Sequence, residues 1–236
     1  AMASVAWYAF VFAAAAAFSS PVIAGEGTSY VTCGSLIKLE NAAVKTKAAC
    51  QEVTYGGSGS GQHAVTGVLE DGSDTQSSYW YIRGSVDNPC TQGQKIAKGS
   101  EIRLQHLKSS RWLHSHHFKS MLSRNQEVSC FGSEEESDSS DSWKVDWKGN
   151  SKGEPKFWEQ ANKVHFQHVE TGLYLMGSTT MYPRPLSGHM EVAASTSKGS
   201  DAYWINREGV YFPEKKGSKT DSQGDASKAE TNHEEL

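Results

Sequence analysis

The amino-acid sequence predicts an all-β protein, a β-trefoil with pseudo-threefold symmetry. Three observations predict it: an internal threefold repeat, short strands of alternating polarity, and no sustained helical period after residue 24. Ile37-Lys38-Leu39, Ile102-Arg103-Leu104 and Val164-His165-Phe166 are apolar-polar-apolar triplets spaced 65 and 62 residues apart. Val65, Val128 and Val192 are spaced 63 and 64 apart, and Trp80, Trp143 and Trp204 are spaced 63 and 61 apart. Three markers that keep one order and nearly one period indicate an internal repeat.

Each triplet has the alternation of a half-buried strand, so Ile37 and Leu39 are expected to face a core and Lys38 to face solvent. Each tryptophan follows a polar stretch and opens or sits in another short strand, as in Tyr79-Trp80-Tyr81-Ile82. Turns separate the strands. Gly56-Gly57-Ser58-Gly59-Ser60-Gly61 reads as one, because it lacks the Lys-Ser/Thr ending of a phosphate loop and precedes no helical pattern. Solenoid units run to roughly 20–50 residues, and these copies are longer, so closure around a threefold axis is the better solution. The triplets and tryptophans are therefore core markers first. The expected boundaries are a signal at 1–24, a trefoil at 25–212 with copies near 28–84, 93–147 and 155–208, and a flexible tail at 213–236.

The ends predict a compartment. Val5 to Ile23 carries no charge, and its apolar centre, Trp7 to Phe18, is shorter than the ~20 residues of a spanning helix. Ser19-Ser20-Pro21 follows, and Val22 and Ala24 suit signal cleavage after Ala24. The tail from Pro213 has no aromatic residue and one large apolar residue, Leu236, too little to offset the entropy of ordering. It ends in His233-Glu234-Glu235-Leu236, which reads as a receptor-bound retrieval address with Glu234 in place of the usual Asp. Together the ends predict the lumen of the endoplasmic reticulum, an interaction with the retrieval receptor, and no membrane insertion.

Composition and motifs narrow the chemistry. The formal net charge is −4 and the basic residues are scattered, so no nucleic-acid footprint is expected. Cys33, Cys50, Cys90 and Cys130 permit two disulfides in three connectivities. No Cys-x-x-Cys occurs, which argues against a thioredoxin-like oxidoreductase, and no zinc spacing or Asn-x-Ser/Thr sequon occurs either. His114 and His116 fall on one face of a strand and His117 on the other. Two imidazoles do not complete a zinc site, so these histidines read as packing groups, with a partner- or ligand-binding surface as the functional alternative. No metal and no cofactor are expected. Glu134, Glu135, Glu136, Asp138 and Asp141 form a Ser-rich acidic run that reads as a solvated loop or a weak divalent-cation site, without the rigid separation that paired catalytic carboxylates need. No Ser/His/Asp set has a nucleophile-elbow context. The chain is not expected to be an enzyme.

At this point the residues carry a resemblance. Arg111-Trp112-Leu113-His114-Ser115-His116-His117, Leu122-Ser123-Arg124-Asn125-Gln126-Glu127-Val128-Ser129 and Tyr79-Trp80-Tyr81-Ile82-Arg83-Gly84 are similar to the MIR repeat. Tyr55 with Gly59-Ser60-Gly61-Gln62, Val65-Thr66-Gly67-Val68 and Arg184-Pro185-Leu186-Ser187-Gly188 match it as well. The match runs from about Tyr30 to Phe212 and most resembles the stromal cell-derived factor 2 family. The resemblance implies a trefoil of three MIR repeats. It also implies an accessory role in protein folding and quality control, partnering a DnaJ-class co-chaperone and its heat-shock-70-class chaperone.

Three departures stand out. Ala48-Ala49-Cys50-Gln51 replaces the family's usual Leu-His-Ser-His in the first repeat, Lys98 stands where relatives carry a cysteine after Cys90, and Trp147 stands where the resemblance implies another. The relatives' disulfide pattern is therefore not transferred, and a Cys50–Cys130 bridge between repeats would be particular to this chain.

Candidate binding residues are Trp112, His114, His116, Asn125, Gln126 and Arg184. The alternative function is a carbohydrate-binding module for glycans or O-mannosylated proteins, with Trp112 as an exposed platform beside His114 and Asn125. A third reading, mannosyl transfer, would need a membrane-embedded catalytic part.

Overall fold

The protein is described by a computed structural model that covers residues 29–69, 76–149 and 156–214. The expected signal at 1–24 and the address His233–Leu236 lie outside the described residues. Twelve strands follow one another in three sets of four. The first set is β1 (Leu36–Asn41), β2 (Lys47–Thr54), β3 (His63–Val68) and β4 (Tyr79–Gly84). The second is β5 (Glu101–His106), β6 (Trp112–Lys119), β7 (Gln126–Phe131) and β8 (Trp143–Asp146). The third is β9 (Lys163–His168), β10 (Tyr174–Met181), β11 (Met190–Ser195) and β12 (Trp204–Val210).

Six strands close a ring of antiparallel pairs in the order β1, β4, β5, β8, β9, β12 and back to β1. The other six form three hairpins, β2–β3, β6–β7 and β10–β11. These cap one end of the ring through β3–β7, β7–β11 and β11–β3 pairs. Ring and triangular cap together make a β-trefoil. The second strand of each set breaks register at the same place, before Thr54, Lys119 and Met181. Such bulges bend a strand, and here they turn each hairpin over the end of the ring. The glycine-rich run is the β2–β3 turn, where Gly57 and Gly61 take positive φ of 62° and 78° that side chains resist.

The three sequence markers meet in the core. Trp80, Trp143 and Trp204 are each 0 % exposed. Their indole N–H groups donate to the carbonyls of Ala48 (2.8 Å), Leu113 (2.8 Å) and Leu175 (2.9 Å). Each tryptophan thus ties the hairpin of its own repeat to the ring. The marker valines sit opposite Cys50, Ser115 and Gly177 in the hairpin registers. A one-turn 3₁₀ helix precedes each tryptophan, at Gln76–Ser78, Ser139–Asp141 and Ser200–Ala202. A polar side chain paired across from the tryptophan holds each turn. His106 Nε2 donates to the Ser77 carbonyl (3.0 Å), His168 Nε2 to that of Ser140 (2.8 Å), and Asn41 Nδ2 to that of Asp201 (2.6 Å).

The triplets hold strands as expected, but their central residues are not solvated. Lys38 is 0 % exposed, with Nζ 2.9 Å from Glu208 and 4.6 Å from the Tyr79 ring centroid. The Arg103 guanidinium lies 4.4 Å from the Trp112 ring centroid. His165 stacks 3.8 Å from Tyr203. Alternation sends each of these side chains out of the ring, and an aromatic ring then covers it, which alternation alone does not reveal.

Disulfides join Cys33 to Cys90 and Cys50 to Cys130. The first spans the first set of strands, and the second links β2 to β7 across repeats. At the tail, Thr32 Oγ1 donates to the Phe212 carbonyl (2.8 Å), and Lys95 pairs with Glu214 (2.8 Å). Among the described residues no helix is long and apolar enough to cross a membrane.

Candidate functional site

The residues singled out by sequence, Arg184 excepted, lie on the β6–β7 hairpin. His114 is buried in β6, and its Nδ1 donates to Asp141 Oδ1 at 2.9 Å. Asp141 is 0 % exposed, so the acidic run is not uniformly a solvated loop. Its Oδ2 accepts from Ser137 Oγ (2.7 Å) and the Asp138 amide (2.8 Å). The Asp138 side chain accepts from the Ser140 amide (2.9 Å), which completes a capping box around the 3₁₀ turn. The spacing Asp138-x-x-Asp141 was the available signal. The pair belongs to the second repeat alone, because Ala49 and Met176 occupy the places equivalent to His114.

His114 Nδ1, Asp138 Oδ1 and Asp141 Oδ1 all lie within 4.8 Å of one another, the separation at which three atoms can share a metal ion. Each carboxylate oxygen already accepts a hydrogen bond, from His114 and from the Ser140 amide. The cluster is built as the cap of the 3₁₀ turn, with His114 Nδ1 committed as a donor to Asp141.

His116 continues the same face, 5.2 Å from the His114 ring and 4.9 Å from Phe118. Its Nε2 donates to Glu127 Oε1 at 3.0 Å, and Ser60 Oγ donates to the same oxygen at 2.5 Å. Trp112 is not a platform. It is 4 % exposed, its indole N–H donates to the Ser133 carbonyl (2.7 Å), and Arg103 lies over its ring. A tryptophan at a strand start packs under the arginine of the neighbouring strand here, and no face is left for a sugar. Gln126 is also buried, with Nε2 bonded to Ser115 Oγ (2.8 Å) and Thr171 Oγ1 (3.0 Å). Asn125 is half-buried, and its Nδ2 lies 3.6 Å from Met176 Sδ. Arg184 is exposed on a different hairpin, in the β10–β11 turn before a cis Pro185. The structure thus joins His114 and His116 to acidic partners and separates Arg184 from them by sequence element.

A polar layer beneath the hairpins escaped the sequence reading. Tyr55 Oη lies 3.0 Å from the carbonyls of both Val65 and Val128, and 3.4 Å from Tyr182 Oη. Burial pushes the Tyr55 phenol well above its ordinary range and that of Tyr182 up to about 12. Glu191 is 0 % exposed and accepts from Ser120 Oγ, Ser123 Oγ (2.7 Å) and the Ser123 amide (3.2 Å). Glu127 and Glu191 immediately precede two of the marker valines. That placement was the available sequence signal.

One more buried group stands apart. His165 is 2 % exposed, between Tyr203 and Tyr174, and neither ring nitrogen has a hydrogen-bond partner. Burial, with the Lys198 charge added, lowers its pKa to about 4.

Comparison with known proteins places this geometry. The MIR domain family profile matches residues 31–206. Human stromal cell-derived factor 2 is 40 % identical over 206 residues, covering 87 % of this chain and 89 % of that one. The crystal structure of the SDF2-like protein from Arabidopsis thaliana superposes with a TM-score of 0.73 at 39 % identity, covering 78 % of this chain and 98 % of that one. A chain of the S. cerevisiae protein O-mannosyltransferase complex shares the fold, with a TM-score of 0.65 at 24 % identity over 77 % of this chain and 26 % of that one. Neither the family description nor the relative's name states an enzymatic activity. The two disulfides are those of a protein of the oxidising secretory pathway. On its sequence, its threefold ring of strands and its full-length relatives, the chain belongs to the stromal cell-derived factor 2 family of MIR-domain proteins.

Proposed function

We propose that this protein is a non-enzymatic accessory of a chaperone system in the endoplasmic reticulum lumen. It binds a DnaJ-class co-chaperone and, through it, a heat-shock-70-class chaperone. The observation that supports this reading is the match to the family along nearly the whole trefoil, residues 31–206. The site geometry agrees with it. His114 pairs with Asp141 and His116 with Glu127, and the two carboxylates take further bonds from the Asp138 amide and the Ser60 hydroxyl. Lumenal residence rests on the apolar segment before Gly25 and on His233-Glu234-Glu235-Leu236, whose reader is the retrieval receptor. The carbohydrate reading has lost its aromatic platform, because Trp112 is covered.

Affinity purification of the tagged protein from lumenal extract tests the proposal. Recovery of a DnaJ-class protein, resistant to added free sugar, is expected. Recovery of glycoproteins alone, released by free sugar, would overturn it in favour of a lectin, and a glycan array with the purified protein would then show binding.

A further inference from the structure

The hairpin end of the trefoil has an unusual composition. The second and third hairpin tips, residues 116–126 and 179–190, contain no Asp or Glu, and the first carries one exposed carboxylate at its foot, Glu52, held to Lys108 at 3.1 Å. Three cations stand on the second and third tips, Lys119, Arg124 and Arg184, on a chain whose formal net charge is −4. All three are exposed and form no ion pair among the described residues. Large apolar side chains lie beside them: Phe118 is 48 % exposed, Met121 48 % and Met181 60 %.

These groups share one surface because the second and third tips are fastened together. Ser120 and Ser123, which flank Met121 and Leu122, both donate to Glu191 of β11. Asn125 reaches Met176 of β10. Lys119 and Met181 hold equivalent places, each closing its strand after the bulge, opposite Gln126 and Met190. Glu127 and Glu191, which bond to the tips, are 2 % and 0 % exposed. They hold the tips from below and leave the outward face to cations and apolar groups.

From this placement we infer that the hairpin end docks a peptide segment rich in acidic and large apolar residues. Exposed Phe and Met favour apolar side chains, and methionine adapts to varied shapes. Three cations on two tips that carry no carboxylate attract Asp and Glu and repel a basic segment. The inference does not depend on which lumenal protein supplies the segment.

The test uses the purified protein and three fluorescein-labelled dodecapeptides: one of alternating Glu and Leu/Phe, one with Lys for Glu, and one with Ser for Leu/Phe. Anisotropy should show binding of the first alone, weakened at least ten-fold by raising salt from 0.1 to 0.5 M. Arg184→Glu with Arg124→Glu, and separately Met181→Ser with Phe118→Ser, should each weaken it at least ten-fold. Unchanged melting temperatures would show that these surface variants fold. Equal binding of all three peptides, binding of none, or binding that both double variants leave intact would overturn the inference.

Discussion

His165 gives a sharp test of how the outer layer of the ring is built. Its imidazole lies between Tyr203 and Tyr174, with Asp146 opposite in the β8–β9 register and Lys198 3.7 Å from that carboxylate. Burial and Lys198 lower its pKa from 6.5 to about 4. The folded state therefore resists protonation that the unfolded chain accepts. Stability from this source is fully present above pH 6.5 and declines as pH falls toward 4. Each pKa unit is worth about 1.4 kcal/mol, so the whole decline is roughly 3 kcal/mol. His165→Phe removes the titration and keeps a flat ring between the tyrosines. It also removes a donor and an acceptor that have no partners, so at pH 7.5 the variant should be as stable as the parent, or more so by about 1 kcal/mol. Urea denaturation at pH 7.5, 5.5 and 4.5 should show the parent losing roughly 2.5 kcal/mol more than the variant across the series, most of the whole decline. His168 and His189, whose pKa values are also lowered by burial, act alike in both proteins and cancel in the difference. Parallel pH profiles would refute the reasoning.

Three further outcomes are expected. Trp80→Phe, Trp143→Phe and Trp204→Phe each remove one buried N–H···O=C bond of the same kind, and should destabilise the protein similarly in denaturant melts, by about 1–3 kcal/mol each. Replacing Cys50 and Cys130 by Ser opens a link between residues 80 apart, and should lower unfolding free energy by up to about 4 kcal/mol; thermal melts with and without reductant measure it. Asp141→Asn and His114→Ala, combined in a double-mutant cycle, should show a coupling of about 1 kcal/mol or more, because either change alone leaves a buried polar partner behind.

Much of the fold was legible because the repeat markers are themselves structural. The tryptophans, valines and triplets occupy equivalent places, and a threefold spacing cannot survive unless the backbone repeats with it. What stayed hidden is what packs against the repeat from outside. Lys38 and His165 alternate outward as expected, yet each is covered by a tyrosine far away in sequence, Tyr79 of β4 and Tyr203 just before β12, a contact set by how distant strands are paired. The candidate site fared less well for the same reason. Trp112 and Gln126 look like exposed binding groups in a linear motif, but Arg103 and Thr171 close over them from neighbouring strands and turns. Asp141 was hidden by its company, since four of the five carboxylates in its run are not buried and the capping spacing was the one cue that set it apart.

The tryptophan bonds described above have a consequence for how this surface can change over time. Each indole grips a main-chain carbonyl, at Ala48, Leu113 or Leu175, and so takes no interest in the side chains that follow. The next three positions are Ala49-Cys50-Gln51 in one hairpin, His114-Ser115-His116 in another and Met176-Gly177-Ser178 in the third. One molecule therefore carries three unrelated answers to the same structural question, all on an unchanged mooring. The mooring to the barrel is thus the same whatever those side chains are, while the side chains answer to their own neighbours: Cys50 to Cys130 and Met176 to Asn125 of a sister hairpin, and His114 to Asp141 of the adjoining turn.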